Sequence, residues 1–240
     1  MIQFFAPDIR DTLTLPESDS GHAVRVLRLQ IGDEVTVVDG KGHRFSCRLV
    51  DNHPKRARVQ IIDVEDVEPV WNYDITIAVA PTKNMDRMEW LVEKLVEIGV
   101  NRIVPLKCRH SERKEIKVER LEKIAVSAMK QSLKATLPTI DEMTPIAAFL
   151  AEMKSRGECQ KFMGYCDDAV QRQLLARNLR PDTDTIIMIG PEGDFSPEEV
   201  AAALDAGFVP VTMGDNRLRT ETAALVGADT CHIVNQALSK

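Results

Sequence analysis

Two strand–loop–helix passages follow each other directly in the run IIMIGPEGDFSPEEVAAALDAGFVPVTMGDNRLRTETAA, residues 186–224. In the first, the apolar, β-branched run Thr185–Ile189 predicts a strand that is buried on both faces. The strand leads into Gly190-Pro191-Glu192-Gly193, where glycine permits close approach of the backbone. Ser196-Pro197-Glu198-Glu199 then predicts a helix start with a capping box and proline at its first position. Gly207 stands where a glycine would end that helix.

The second passage repeats this arrangement. Val209–Met213 predicts a strand, a polar glycine-bearing loop follows, and Thr220 is predicted to cap the last helix. Loops at the carboxyl ends of adjacent strands are where open α/β sheets bind ligands. Because short glycine motifs also match by chance, simple tight turns remain an alternative for either loop. The crowding of Arg217, Arg219 and Glu221 into one turn favours a functional site.

The hydrophobic period changes near a linker-like stretch at Val67–Tyr73. Before it, alternating apolar residues predict a small all-β module over residues 1–70; its elements are a short helix at 21–29, a hairpin at 34–50 and a strand at 57–64. After it, strands alternate with helices, which predicts a mostly parallel sheet in a second domain over residues 71–240. The elements expected there are strands at 74–80, 102–106 and 161–165, and helices at 84–98, 118–134, 147–156 and 169–177.

Composition limits the class of protein. An apolar fraction of 44% with 28% charged residues is ordinary for a globular chain, and no apolar run is long enough for a transmembrane helix. The N-terminus lacks the pattern of a signal peptide. The five scattered cysteines, without a CxxC pair, favour free thiols over disulfides or a zinc site. A cytoplasmic protein without a metal site is therefore expected. The net charge of −6 argues weakly against nucleic-acid binding, although residues 41–58 and 107–134 are locally basic.

The motifs IGPEGDFSPEE and MGDNRLRTETA resemble the paired C-terminal signature of the SPOUT superfamily of methyltransferases. Within it, the chain is most similar to the ribosomal RNA small subunit methyltransferase E family, whose pattern is IGPEGGFS followed by LGxRILRTETA. LVEKLVEIGV at residues 91–100 also matches that family. The chain departs from the pattern at Asp194, where glycine is usual, and at Asn216 in the second motif.

The resemblance implies an α/β fold in which a SPOUT-type C-terminal domain, with a parallel sheet and a trefoil knot, follows a small PUA-like RNA-binding β-barrel. It also implies S-adenosylmethionine-dependent methylation of uridine N3 in 16S ribosomal RNA, on RNA in an assembled ribosomal particle. A homodimer packed through the last helix, Thr222–Leu238, is expected as well. Nothing in the periodicity of the sequence indicates a knot.

Three alternatives stay open. The chain could be a SPOUT enzyme that methylates a ribose 2′-hydroxyl or another base, or an RNA-binding assembly factor that keeps the fold without catalysis. A nucleotide-using small-molecule enzyme is a more distant alternative. The sequence lacks the GxGxxG, GxxxxGK[ST], HExxH and GxSxG motifs, which argues against an ordinary dinucleotide site and several common hydrolase sites.

Residue roles follow from the matched motifs. Methylation at N3 pushes negative charge onto the two uridine carbonyl oxygens, which an arginine would stabilise. Arg219 is the first candidate and Arg217 the second. Glu221 and Glu192 are candidate proton acceptors. Each also has a structural alternative: a carboxylate is favoured in a first helical turn, where Glu221 lies, and Glu192 could simply hold its loop in place. The residues expected at the cofactor are Gly164, Ile189, Gly190, Glu192, Gly193, Met213, Gly214, Leu218, Thr222 and Ala223.

RNA contacts are expected from basic and polar residues in matched segments. Arginine suits phosphate because its planar guanidinium donates two parallel hydrogen bonds. Lys130 stands where the family has glutamate, which puts an acidic role there in doubt. The residues expected to bind RNA are Arg25, Arg28, Lys83, Arg109 and Gln131.

Overall fold

The computed structural model describes residues 2–166 and 171–238, and the chain divides into two compact units. The first unit comprises residues 1–70 together with 126–137. The second comprises residues 71–125 and 138–240. This discontinuous arrangement differs from the predicted one, in which residues 118–134 form one helix of the second domain.

Four strands form the sheet of the first unit, in the order β1-β2-β3-β4. Their bounds are β1 Gln3–Phe5, β2 Glu34–Val38, β3 His43–Asp51 and β4 Arg58–Asp66. β1 pairs with β2 in parallel, and the other neighbours are antiparallel. The predicted hairpin is therefore confirmed. Gly40 and Gly42 in its turn have φ angles of 77° and 100°, which favour glycine.

The first unit also contains helical turns, more of them than the single short helix expected at residues 21–29. They are α1 Ile9–Thr12, α2 Glu17–Gly21 and a π-helical turn, His22–Val26. The helix expected at residues 21–29 thus begins earlier, and it ends where Arg28 adopts a left-handed φ of 57°. Apolar side chains fill the space between these turns and the sheet; they include Phe4, Ile9, Val37, Phe45 and Leu49.

The second unit contains a parallel sheet in the order β10-β12-β9-β11-β5-β6-β7, with β8 paired to β6. The strands are β5 Ile75–Val79, β6 Arg102–Lys107, β7 Thr139–Ile140, β8 Thr144–Pro145, β9 Gln160–Gly164, β10 Gln173–Leu174, β11 Thr185–Ile189 and β12 Val209–Thr212. All of these pairings are parallel, as predicted. β11 lies between β9 and β5, and all five of its residues are buried, which explains its unbroken apolar sequence.

The longer helices are α3 Met85–Ile98, α4 Val118–Gln131, α5 Ile146–Ser155, α7 Pro197–Asp205 and α8 Thr220–Leu238; α6, Leu175–Asn178, is a single turn. The capping box at Ser196 is confirmed, since its side chain accepts from the Glu199 N–H and the Glu199 side chain accepts from the Ser196 N–H. α4 stops at Gln131, three residues before its predicted end, because Leu133 adopts a left-handed φ of 56°.

The helix expected at residues 169–177 was also wrong. Residues 169 and 170 lie outside the described residues, and the remainder forms the short strand β10 and the turn α6. Gln173 and Leu174 pair with β12, so the backbone hydrogen bonds of this stretch go to the sheet edge. No helix within the described ranges is long and apolar enough to cross a membrane.

The last helix packs closely on the centre of the sheet. α8 contacts β11, β5 and α3. A Cβ atom on Gly227 would lie 3.2 Å from Ile187 Cδ1, so the absence of a side chain lets this helix approach β11. The first residues of α8 are consequently held beside the carboxyl end of β11.

Candidate functional site

A cavity of about 1000 Å³ lies in the second unit at the carboxyl ends of β9, β11 and β12. We name the segments that line it the first loop (residues 164–166), the second loop (190–194) and the third loop (213–219). The start of α8 and Arg87 of α3 also line the cavity. The remaining described lining residues are Ile189, Val211 and Thr212 of the strands, and Gln171 and Arg172. The two glycine loops of the sequence analysis therefore border one site, together with a loop from a third strand.

The glycine at the start of the first loop is required by packing. A Cβ atom on Gly164 would lie 2.6 Å from Ile189 Cδ1 and 3.3 Å from Met213 Cε. Real Cβ contacts are essentially never as short as the first of these distances. Gly164, Ile189 and Met213 thus hold the ends of three strands in close contact at the wall of the cavity.

The other two lining glycines serve different purposes. A Cβ atom on Gly190 would lie 3.1 Å from the Phe195 ring, so this glycine too is needed for packing. Gly214 has a φ of 138°, and a Cβ atom there would have no neighbour within 4 Å. Space is therefore open beside the Gly214 Cα, while its N–H donates to the Thr212 hydroxyl and its carbonyl accepts from that hydroxyl.

Thr220 joins the second loop to the last helix. Its hydroxyl donates to the carbonyl of Gly190 at 3.2 Å, and it is the first residue of α8 rather than the residue before it. The predicted cap residue therefore lies one position inside the helix. Thr222 is not among the residues that line the described cavity, whereas Ala223 is.

The two glutamates of the motifs both have partners. Glu192 Oε1 accepts from the backbone N–H of Lys83 at 3.1 Å, which ties the second loop to the start of α3. Glu221 is buried, with its carboxylate 3.6 Å from Arg87 Nη1. Each carboxylate therefore has a structural partner, which supports the structural role considered for both.

The two arginines of the third loop have exposed side chains. Within residues 2–166 and 171–238, the side chains of Arg217 and Arg219 make no hydrogen bond or ion pair. Both line the cavity, as does the half-buried Leu218. These guanidinium groups are free to meet an anionic or carbonyl-bearing ligand at the cavity mouth.

Asp194 connects the second loop to the first. Its Oδ2 accepts from the Cys166 N–H at 3.1 Å, and its Oδ1 accepts from the Phe195 N–H at 2.8 Å. The side chain of His110 lies against this turn, with Nδ1 3.1 Å from the Gly193 carbonyl and 3.0 Å from the Asp194 carbonyl. Gly193 thus faces His110, and it is not among the described residues that line the cavity.

Two family models match this chain. The RNA methyltransferase domain matches residues 69–231, which contain the cavity and its three loops. The chain belongs to the RNA methyltransferase family. The RNA methyltransferase PUA domain matches residues 15–62, within the first unit.

Related proteins bear out the resemblance to ribosomal RNA small subunit methyltransferase E. The protein of that name from Buchnera aphidicola is 26% identical over 227 residues, which cover 91% of this chain and 87% of the relative. The solved structure of that enzyme from Neisseria gonorrhoeae, bound to S-adenosyl methionine, is 25% identical with a TM-score of 0.83 and covers 98% of both chains. A probable rRNA-methyltransferase from Porphyromonas gingivalis is 45% identical with a TM-score of 0.94 and covers 99% of both chains.

The residues expected at RNA are all exposed, and their partners differ. In the first unit, no side-chain partner is found among the described residues for Arg25, Arg28 or Gln131. In the second unit, Lys83 pairs with Glu112 at 2.9 Å and Arg109 with Glu198 at 3.0 Å. Glu112 raises the pKa of Lys83, so this lysine keeps its charge.

Several residues of the cavity wall were not predicted from the sequence. Arg87 comes from α3, Gln171 and Arg172 precede β10, and Asp194 was noted only as a departure from the family pattern. A charged residue in the first turn of a predicted helix is the one signal that could have suggested Arg87. Gln171 and Arg172 carry no such signal, because a helix was expected there.

Within the described ranges, no group of three or more His, Cys, Asp or Glu side chains could hold a metal ion. Burial raises the pKa of Cys108 and of Cys231 to about 12, so both stay protonated thiols. Cys166 is the exposed cysteine at the cavity.

Proposed function

We propose that this chain methylates N3 of a uridine in the 16S ribosomal RNA of the small subunit, with S-adenosylmethionine as the methyl donor. The observation that carries the proposal is the cavity itself. Its walls are the two motifs that match the methyltransferase E pattern, and a solved relative with this fold binds S-adenosyl methionine.

The cavity suits a ligand of this size and chemistry. Its volume of about 1000 Å³ is at the upper end of what small-molecule and cofactor sites have. Gly164 and Ile189 would form its apolar wall, and the open space beside the Gly214 Cα would let the ligand approach the third loop closely. The further residues proposed to hold the cofactor are Gly190, Glu192, Met213, Leu218 and Ala223. Gly193 and Thr222 would support the residues that line the cavity, since neither lines the described cavity itself.

When bound, S-adenosylmethionine supplies an electrophilic methyl group on a positively charged sulfur. The task of this chain is then to align the uridine with that methyl group, because in-line attack depends on orientation more than on a strong charge beside the sulfur. Loops held by tight contacts, as at Gly164, suit that task.

The uridine is proposed to be activated by the third loop. N3 loses its proton before or during attack, which places negative charge on the two ring carbonyl oxygens. Arg219 would stabilise that charge, with Arg217 in support, because both guanidinium groups are exposed and unpaired at the cavity among the described residues. Glu221 is the weaker candidate for accepting the proton, since it is already paired with Arg87.

Binding of the RNA is proposed for both units. In the first unit, which contains the PUA match, exposed Arg25, Arg28 and Gln131 would contact the backbone. Lys83 and Arg109 would do so in the second. An RNA substrate in a ribosomal particle would place the protein in the cytoplasm.

The knot and the dimer also stay proposals. After β12, at one side of β9, the chain returns as α8 to pack on β11 and β5, and this crossing is where a trefoil knot would form.

On α8, Ile233 is 56% exposed and Leu238 is 59% exposed, which is the apolar surface that a second copy would cover.

A transfer assay tests the proposal. Purified protein is incubated with labelled S-adenosylmethionine and small ribosomal subunits that lack the modification, and the label is mapped by mass spectrometry. Methyl on uridine N3 is the expected result. Naked 16S RNA, run in parallel, reports whether the assembled particle is needed.

Other outcomes would redirect the proposal. Methyl on a ribose or another base would keep the methyltransferase and change its specificity. Tight cofactor binding without transfer would point to a different RNA. Failure to bind S-adenosylmethionine at all would favour the RNA-binding assembly factor.

A further inference from the structure

Asp194 has a backbone conformation and side-chain contacts that a simple turn does not require. Its φ of 58° lies in the left-handed region, where glycine is comfortable and aspartate is tolerated. Its N–H donates to the Pro191 carbonyl at 2.9 Å, which closes the turn by backbone alone. The carboxylate is therefore not needed to form the turn.

The carboxylate instead reaches across to the first loop. Oδ2 accepts from the Cys166 N–H at 3.1 Å, between residues that are 28 positions apart in the chain. The backbone of Asp194 is itself held, because His110 Nδ1 lies 3.0 Å from its carbonyl. The contact thus links two separate loops of the cavity through a residue that is fixed on its other side.

Every backbone polar group of Tyr165 and Cys166 has a partner in the protein. The Tyr165 N–H donates to the Val211 carbonyl at 3.3 Å. The carbonyls of Tyr165 and Cys166 accept from Arg172 Nη1 at 3.3 and 3.1 Å. Asp194 supplies the partner of the remaining group, the Cys166 N–H. Without that carboxylate, three of the four backbone polar groups of Tyr165 and Cys166 would keep their partners.

We propose that Asp194 is a positioning residue that holds the first loop in its ligand-binding form before any ligand arrives. The inference rests on the proposed function, because it names the cofactor as the ligand that benefits. A loop that is already ordered loses less conformational freedom on binding, so affinity rises without a new contact to the ligand. Asp194 acts through Cys166 and needs no contact with the reacting atoms.

Asp194→Gly is the decisive variant. Glycine adopts a φ of 58° without strain, so the turn is kept while the carboxylate is removed. Asp194→Asn keeps a residue that tolerates this conformation but has one acceptor oxygen for two N–H groups. Asp215→Gly is the matched control, since it removes another carboxylate of the cavity lining that makes no contact with Cys166.

Three measurements are made on the whole 240-residue chain. Amide hydrogen exchange of Cys166, followed by NMR in the protein without cofactor, is expected to be about tenfold faster in Asp194→Gly, intermediate in Asp194→Asn and unchanged in Asp215→Gly. Calorimetry with S-adenosylmethionine is expected to show about tenfold weaker binding by Asp194→Gly. In the transfer assay, KM for the cofactor rises while kcat at saturation stays within about twofold of the unmodified protein.

The exchange measurement separates this inference from the proposed function. Equal Cys166 exchange in Asp194→Gly and the unmodified protein would show that the carboxylate does not hold the loop. Faster exchange with unchanged cofactor affinity would show that holding the loop does not position it for the cofactor, and would also overturn the proposal. If the unmodified protein bound no S-adenosylmethionine, the proposed function would fail, and the positioning of this loop for that cofactor would fail with it.

Discussion

Arg87 Nη1 lies 3.6 Å from Glu221 Oε1, and the pair joins the first turn of α3 to the first turn of α8. The Glu221 side chain is 9% exposed and that of Arg87 is 40% exposed. A nearly buried carboxylate requires a partner, and here α3 provides it. Glu221, which the sequence suggested as a proton acceptor, therefore has a structural use as the partner of Arg87.

Glu221→Gln tests these two roles against each other. If Glu221 is structural, turnover stays within about tenfold of the unmodified protein, whereas loss of a general base costs about 10²- to 10⁴-fold. Arg87→Ala should lower the free energy of unfolding by about 1 kcal/mol, because solvent at the exposed arginine screens the pair. Urea unfolding of both single variants and the double variant gives the coupling. A coupling energy near zero would contradict the structural role.

Arg219→Ala is expected to reduce methyl transfer about 10²- to 10³-fold, because the charge that develops on the uridine oxygens loses its donor. Affinity for S-adenosylmethionine should change little. Arg217→Ala, in the same exposed loop, should have a smaller effect on turnover. Single-turnover rates and calorimetry make the comparison. Collapse of cofactor binding in Arg219→Ala would instead assign this residue to the wall of the pocket.

Gly164→Ala tests the contact between the strand ends. Its new Cβ would lie 2.6 Å from Ile189 Cδ1, so the side chain of a buried residue must move, which costs about 1–3 kcal/mol of stability. Ile189→Val removes that Cδ1 atom and alone costs about 1 kcal/mol. The double variant should therefore lose less stability than the sum of the single variants. Additive losses in chemical unfolding would show that the contact is relieved elsewhere.

Local signals predicted much of this architecture from the sequence. The unbroken apolar run of β11 indicated burial on both faces, and Ser196 with Glu199 marked the start of α7. These features depend on residues that are close together in the chain, so they can be predicted from the sequence alone. Residues 126–137 could not be assigned in this way, because their grouping with the first unit depends on long-range contacts such as the Gly42 N–H to the Ala135 carbonyl.

The candidate site was also predicted only in part: the sequence indicated two of its loops but not the side chains that reach it from other segments. Both glycine loops line the cavity as the motifs suggested, because loops at the ends of neighbouring parallel strands meet. Arg87 and Arg172 were missed because they reach the cavity from segments that are distant in sequence. The role of Asp194 was also missed, since its partner Cys166 lies in another loop. Such pairings leave no periodic signal.

Alkylation of cysteines tests, without RNA, whether S-adenosylmethionine binds in the cavity. Cys166 is exposed at the cavity, whereas Cys47, Cys108 and Cys231 are buried. Iodoacetamide should therefore label Cys166 well before the buried three. Partial burial and the Asp194 carboxylate raise the pKa of Cys166, so its labelling should accelerate as the pH rises above neutrality. S-adenosylmethionine should slow labelling of Cys166 but not of the half-buried Cys159, as peptide mass spectrometry would show. Equal slowing of both thiols would argue against cofactor binding in this cavity.

Asp39 is expected to make the first unit sensitive to acid. Burial alone would raise its pKa, but hydrogen bonds from the Lys41 N–H and from His43 outweigh it, and the pKa lies below the ordinary value of 3.8. The folded state therefore favours the ionised carboxylate. This stabilisation is complete above pH 3.8 and is lost as the pH falls through the lower, folded-state pKa.

Asp39→Asn tests that dependence. The variant should lose about 1–2 kcal/mol near neutral pH, because the charged acceptor in the β2–β3 turn is gone. As the pH falls through 3.8, its free energy of unfolding should fall less steeply than that of the unmodified protein. Asp63→Asn, on the exposed part of β4, should keep the steeper fall. The measurement is urea unfolding at several pH values. If the free energy of unfolding depended on pH equally in Asp39→Asn and in the unmodified protein, the folded state would not favour the ionised form of Asp39.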